Sequence, residues 1–366
     1  MRAHPCPVPD GLGTGKIWRN GKKLVDSTCL DAICGSQIFR KSMKSTIHSV
    51  FGLALLVGVS LVGSAVAAVN INYVHVGNPG NANDTTGFGG VAYEYKVAQN
   101  ETTVGDYVQF LNAVAKSDPY ALYNPSMGSD SVIAGITRTG SSGSYSYAPV
   151  AGSVNKPITY VSWFDAARFS NWMHNGQGSG STETGAYTLN GAMSGVYSVN
   201  PGAQAWIPTE NEWYKAAYYD ATKGGTGGYW PYATQSNTLA GNDIGVPNSA
   251  NYYDNGYAVY TGSGAGIWTT SDVGAYGPNS DSFYGTNDQG GNVWEWNDAI
   301  FGGATRGLRG SAWGFFDPTL ASDVGVDADP TTEDHFIGFR VATVPEPGSA
   351  ILTLLAGGLL LVRRKR

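Results

Sequence analysis

A loop-rich fold with a few well-punctuated helices is what the sequence predicts, on three observations. Three segments have helical periodicity and open on the same capping pattern. Between and beyond them lie long stretches rich in Gly, Ser and Thr, at 176–184, 222–228 and 261–266, which read as loops. The body of the chain from Val69 to Thr343 has no cysteine, so it must be held together by its core. Its 275 residues suffice for one large domain or two small ones. No internal repeat is present.

The first helix is expected from Thr103 to Ala115, with an apolar face of Val104, Tyr107, Val108, Leu111 and Val114. The second is expected from Ser162 to Met173 and the third from Thr209 to Tyr218. Thr103 is followed by Asp106, Ser162 by Asp165 and Thr209 by Glu212. In each pair the hydroxyl and the carboxylate satisfy backbone N–H groups of the first turn. These acids therefore have a structural explanation before any catalytic one.

Both ends of the chain read as addresses. Arg40, Lys41 and Lys44 precede an apolar run from Val50 to Val62, and Ala65-Val66-Ala67 follows. A basic start, a short apolar middle and a small-residue end make a secretory signal over 43–68, with the mature chain starting near Ala68 or Val69. The run is too short to span a membrane. Residues 1–42 then precede the signal, and Met43 is the natural start, so 1–42 is expected to be a mis-called upstream segment without packed structure, the alternative being a long leader. The three cysteines, Cys6, Cys29 and Cys34, all lie in it. At the other end, 344–366 reads Val344-Pro345-Glu346-Pro347-Gly348, then an apolar run Ala350–Val362, then Arg363-Arg364-Lys365-Arg366. The prolines keep the junction extended, the apolar run enters the membrane and the basic end stays cytoplasmic. This order resembles the PEP-CTERM sorting signal of Gram-negative bacteria. The resemblance implies processing by an exosortase-type enzyme, transient attachment to the inner membrane through a short transmembrane helix, and a final place at the cell surface or outside the cell.

The body from Val69 to Thr343 carries 10 Lys and Arg against 24 Asp and Glu, a net charge of −14. Such a body argues against nucleic acid, whose affinity comes largely from cations on phosphates. It suits calcium, which takes carboxylate and carbonyl oxygens. No G-x-S-x-G or P-loop pattern is present, and His75, His174 and His335 lie far apart without paired spacing.

Five motifs follow one another along the body. They are Tyr95-Lys96-Val97-Ala98-Gln99-Asn100-Glu101-Thr102-Thr103-Val104; Pro157-Ile158-Thr159-Tyr160-Val161-Ser162-Trp163; Trp206-Ile207-Pro208-Thr209-Glu210-Asn211-Glu212-Trp213; Gly291-Asn292-Val293-Trp294-Glu295-Trp296; and Leu308-Arg309-Gly310-Ser311-Ala312-Trp313 with Gly338-Phe339-Arg340. Each alone is weak, but in this order they resemble the formylglycine-generating enzyme family, also called the sulfatase-modifying factor family. The likeness runs from about Tyr93 to Ala342. It implies one large α+β domain, 69–343, related to C-type lectins and rich in irregular structure.

In the family's oxidases two cysteines after the Arg-Gly-Gly-Ser motif bind copper and convert a substrate cysteine to formylglycine. By spacing, Phe315 and Leu320 stand at those positions, and Ala312 at the motif serine. Neither Phe nor Leu offers a metal ligand, so no copper and no cysteine-dependent oxidation are expected. The resemblance also implies structural calcium held by the Asp288 side chain, the carbonyls of Gly291 and Val293, and the Glu295 side chain. The bland reading is that Glu295 caps a turn or pairs with an arginine. A second family site would use Asn251 and the carbonyls of Tyr252 and Ile267, but its acidic ligand is replaced near Ala265. Trp294 and Trp313, with Arg309 and Phe315, are expected to line a cleft. Together these readings describe an exported surface or matrix protein whose domain binds an extracellular polysaccharide or protein. The alternative is an enzyme of the same superfamily with cysteine-independent chemistry.

Overall fold

The structure is a computed structural model. It describes residues 68–239, 241–254, 256, 258 and 269–345, together with the backbone of two upstream strands. The signal run, most of the C-terminal tail, Ala265 and Ile267 lie outside the described residues. In chain order the strands are β1 (Lys16–Arg19), β2 (Lys22–Val25), β3 (Tyr73–Val76), β4 (Tyr95–Ala98), β5 (Ile136–Thr139), β6 (Ser146–Pro149), β7 (Ala205–Trp206), β8 (Tyr219–Asp220), β9 (Gly228–Tyr229), β10 (Trp294–Phe301), β11 (Thr305–Arg309), β12 (Val324–Ala328), β13 (Ile337–Phe339) and β14 (Ala342–Thr343). The helices are α1 (Val104–Val114), α2 (Ser126–Ser129), α3 (Trp163–His174) and α4 (Glu210–Tyr218). The α+β class and the abundance of irregular chain agree with the sequence reading.

All three capping boxes form. Thr103, Ser162 and Thr209 are extended N-caps whose hydroxyls accept from the amides of Asp106, Asp165 and Glu212, while those carboxylates take the cap amides. The helices begin where the sequence places them because these orphan N–H groups have side-chain partners only there.

Two sheets organise the rest. One runs β13-β10-β11-β12-β1-β2, with β10 parallel to β13 and antiparallel to β11; the other runs β3-β4-β14-β7. The expectation that 1–42 carries no packed structure is corrected at its two strands. β1 pairs antiparallel with β12, Lys16 opposite Asp327 and Arg19 opposite Val324, and β2 pairs with β1. Without them β12 would be a bare edge, whose unpaired N–H and C=O groups template another strand. Asn20-Gly21 between the two strands is a strong hairpin dipeptide that the reading passed over.

The core is aromatic. Phe110, Phe169, Trp172 and Phe339 meet with ring centroids 5.4–5.6 Å apart. Four arginines are also buried, each against one carboxylate: Arg168 on Glu183, Arg306 on Asp298, Arg309 on Glu210 and Arg340 on Glu295, at 2.6–2.8 Å. Arg306 also lies 3.8 Å over the Trp163 ring. A buried charge is tolerable only when paired and hydrogen-bonded, so these pairs tie distant segments in a body without disulfides.

One cap carries a pH dependence. Asp165 is buried in its box, and burial pushes its carboxyl up to about 7, with Glu333 adding to the rise and Ser162 and Arg168 opposing it. Glu333 is itself raised by burial. A carboxyl raised in the folded state stabilises fully below its unfolded value near 4 and loses that contribution as pH rises through 7. The melting temperature should therefore climb between pH 8 and pH 5 by calorimetry. Asp165→Asn, which keeps an acceptor for Ser162, should flatten the climb; an unaltered slope would show that this carboxyl is not its source.

Candidate functional site

The Gly-Asn-Val-Trp-Glu-Trp segment enters β10 through a tight crossing of three chain segments. Gly291 sits at φ 90°, and a Cβ there would collide with the Asn251 carbonyl. Only glycine fits such a place. Its N–H donates to the Gly310 carbonyl at 2.7 Å, the Asn292 N–H to the Asn251 carbonyl at 2.8 Å, and the Trp313 N–H to the Asn292 carbonyl at 3.0 Å. The Asn292 side chain then bridges inward. Its Nδ2 donates to Glu101 Oε1 at 3.0 Å, while its Oδ1 accepts from Asn251 Nδ2 and from the Ser271 amide, each at 3.0 Å.

Arg340 is the centre of this interior. Its Nε and Nη2 grip the two Glu295 oxygens at 2.6 Å each, and its other donors reach the carbonyls of Ala98, Gln99 and Asn287 at 2.9–3.0 Å. All five guanidinium donors are used. Glu295 Oε2 also accepts from Trp213 Nε1 at 2.7 Å. Glu101 and Asp288 flank the pair. Burial drives the Glu101 carboxyl well above the ordinary range, with Asp288 adding to the rise, and it pushes Asp288 up to about 6 against the pull of the Gly274 amide.

The motifs that carried the resemblance thus meet at one place. Residues 90–344 match the family described as Sulfatase-modifying factor enzyme 1-like domain. The chain belongs to this family. Among solved structures it is similar to CarF (21% identity, 76% of this chain and 99% of that one, TM-score 0.45). It is similar also to Treponema denticola variable protein 1 (18%, 76% and 97%, TM-score 0.47) and to PvdO from Pseudomonas aeruginosa (18%, 75% and 92%, TM-score 0.41). Among curated proteins no sequence relative matches.

Phe315 and Leu320, which the likeness sets at the copper-cysteine positions, are apolar and buried here. Phe315 packs edge-on against Trp294 at 5.6 Å and Phe336 at 5.1 Å. Leu320 belongs to a separate small cluster with Ala250 and Tyr252. No copper fits this donor-free pair. His75, His174 and His335 lie in β3, at the end of α3 and just before β13, and among the described residues no three His, Cys, Asp or Glu side chains gather as for a metal.

The calcium set the family implies does not fit at Glu295. Both its oxygens are taken by Arg340, and a cation placed between them would face the guanidinium. The bland sequence reading, a carboxylate paired with an arginine, is the arrangement found. Asp288 Oδ2 accepts from the Gly274 amide at 2.6 Å, and Gly291 and Val293 serve the crossing described above. At the second family position Asn251 is buried and its Nδ2 also reaches the Thr269 carbonyl, while the Tyr252 carbonyl accepts from Asn242 at 3.2 Å; Ile267 lies outside the described residues.

The expected cleft is corrected as well. Trp294 and Arg309 are fully buried, Phe315 nearly so, and Trp313 is only 5% exposed. Arg309 is not available to a ligand, because its guanidinium holds Glu210 and the carbonyls of Ser322 and Val324. Packing claimed these residues. The sequence reading missed Arg340 and Glu101 as site residues, although both stand inside quoted motifs. It also missed Tyr160, an aromatic residue at φ 60° whose hydroxyl donates to Asp130 Oδ2 at 2.6 Å and whose ring lies 6.2 Å from that of His335.

Proposed function

We propose that this is an exported surface or matrix protein in which the sulfatase-modifying-factor domain binds a ligand and does not oxidise a thiol. One observation carries the reading: Phe315 and Leu320, both buried and apolar, stand where the oxidases of the family need two thiolates. Soft thiolates are what hold Cu(I). The chain's own cysteines all precede residue 43, ahead of the signal pattern. The Pro-Glu-Pro tail supports export, exosortase processing and transient membrane attachment, and the acidic body turns nucleic acid away. The partner class that fits a surface protein of this kind is an extracellular polysaccharide or protein.

A second reading is an enzyme with cysteine-independent chemistry. Tyr160 favours it, since a bulky residue at positive φ beside Asp130 and His335 is strain of the kind that gathers at functional sites. The experiment takes exported protein, whose N-terminus should read from Ala68 or Val69, so that β12 is left without β1, and titrates it with extracellular polysaccharide from the producing bacterium. Saturable tryptophan quenching and co-sedimentation are expected. Turnover of the added polymer instead of saturable binding would favour the enzyme.

A further inference from the structure

A pocket of about 280 Å³ opens where the end of β4 meets the chain ahead of β3 and the cap of α1. Its deep wall is Ala98, Glu101 and Thr102, all buried, and its mouth is Asn70, Asn72 and Asn155, all exposed. Two oxygens of the deep wall, Glu101 Oε2 and Thr102 Oγ1, are buried without a partner among the described residues. The other Glu101 oxygen accepts from Asn292 Nδ2 at 3.0 Å, which fixes the carboxyl in place. Buried polar atoms left in this way cost free energy until something satisfies them. The mouth is held as firmly. The Gln177 side chain clasps Val69 through both its N–H and its carbonyl, at 2.8 Å each, and the Asn72 carbonyl accepts from the Gln99 amide at 2.8 Å.

We propose that this pocket binds one neutral sugar ring of a polysaccharide, with Glu101 and Thr102 hydrogen-bonded to hydroxyls at its base and the three asparagines at its mouth. Glu101 and Asp106 line it and no Lys, Arg or His does, so an anion is turned away. An ammonium ion only donates, and it would leave the amide N–H groups of Asn70, Asn72 and Asn155 without acceptors. A hydroxyl both gives and takes, as do the amides and the Thr102 hydroxyl. Ile71 and Val273 add apolar surface for the C–H face of a ring. The volume is at the small end for ligand sites, which start at about 300 Å³, so it suits one ring and not a chain of them. Neither Phe315 nor Leu320 lines the pocket, so it lies apart from the positions of the missing thiolates. The proposal rests on the polysaccharide reading above and gives it a location.

The test keeps exported protein in chelator, so that no metal ion bridges protein and sugar. Glucose, galactose, mannose and N-acetylglucosamine are titrated one at a time and followed by ligand-observed NMR. At least one should bind saturably. Thr102→Val keeps the shape of the side chain and removes an unpartnered hydroxyl, so its melting temperature should stay at or above that of the wild type. Its affinity for the bound sugar should fall about fivefold, the worth of one hydrogen bond. Asn155→Ala, at an exposed position, should fold as the wild type does and bind more weakly as well. If none of the four sugars binds while polysaccharide from the producing bacterium does, the pocket is overturned and the polysaccharide reading stands. If the polysaccharide fails too, both fall. Wild-type affinity in both variants would put the ring elsewhere and overturn the proposal.

Discussion

Arg340→Ala should cost about 3–5 kcal/mol of stability and lower the melting temperature by roughly 6–20 °C. The change removes a guanidinium whose five donors are all engaged and leaves Glu295, wholly buried, with only the Trp213 indole as partner among the described residues. Asp288 stands beside it, and the deletion removes the cation that draws its carboxyl down. Removing one member of a buried pair is costly because the other stays charged and dry. Arg340→Lys should recover less than half of the loss, since an ammonium cannot repeat the planar fork. Urea unfolding checks this. A loss below 1 kcal/mol for the alanine variant would mean that Arg340 does not organise the motif segments.

The second large effect is at the positions of the missing cysteines. Phe315→Ala should cost about 3–5 kcal/mol and Leu320→Ala about 2–5 kcal/mol, because both vacate packed space. Phe315 fills the gap between Trp294 and Phe336, and Leu320 that beside Tyr252. Phe315→Cys together with Leu320→Cys should be destabilised, by somewhat less than the alanine pair, and should gain no oxidase activity. The two side chains belong to different clusters, so restoring sulfur does not by itself restore a metal site. Stability close to wild type in the alanine variants would show that these positions are a cleft and not core.

What could be read from the sequence was what local chemistry decides. Thr103, Ser162 and Thr209 mark their helices because the cap and its carboxylate are three residues apart, and all three boxes form as read. The strands were not legible. Most are two to five residues long, too short for an alternating pattern to emerge, and they are set by long-range pairing such as β10 beside β13. The site was legible in its motifs but not in its contacts. Glu295 could be a calcium ligand or an arginine partner, and only the fold brings Arg340, 45 residues on, to both its oxygens. Trp294 and Arg309 looked like cleft residues because motif likeness says nothing of burial.

The central claim is that a member of this family stands here without the family's thiol oxidation. The measurement that reaches it most directly is incubation of the purified protein with a cysteine-containing sulfatase peptide, copper and oxygen, followed by mass spectrometry for the aldehyde. If Phe315 and Leu320 stand at the two sulfur positions, as the likeness implies, conversion should equal that of a control without protein. Conversion above the control would contradict the account and require an oxidation route that uses no thiolate from the body of this chain.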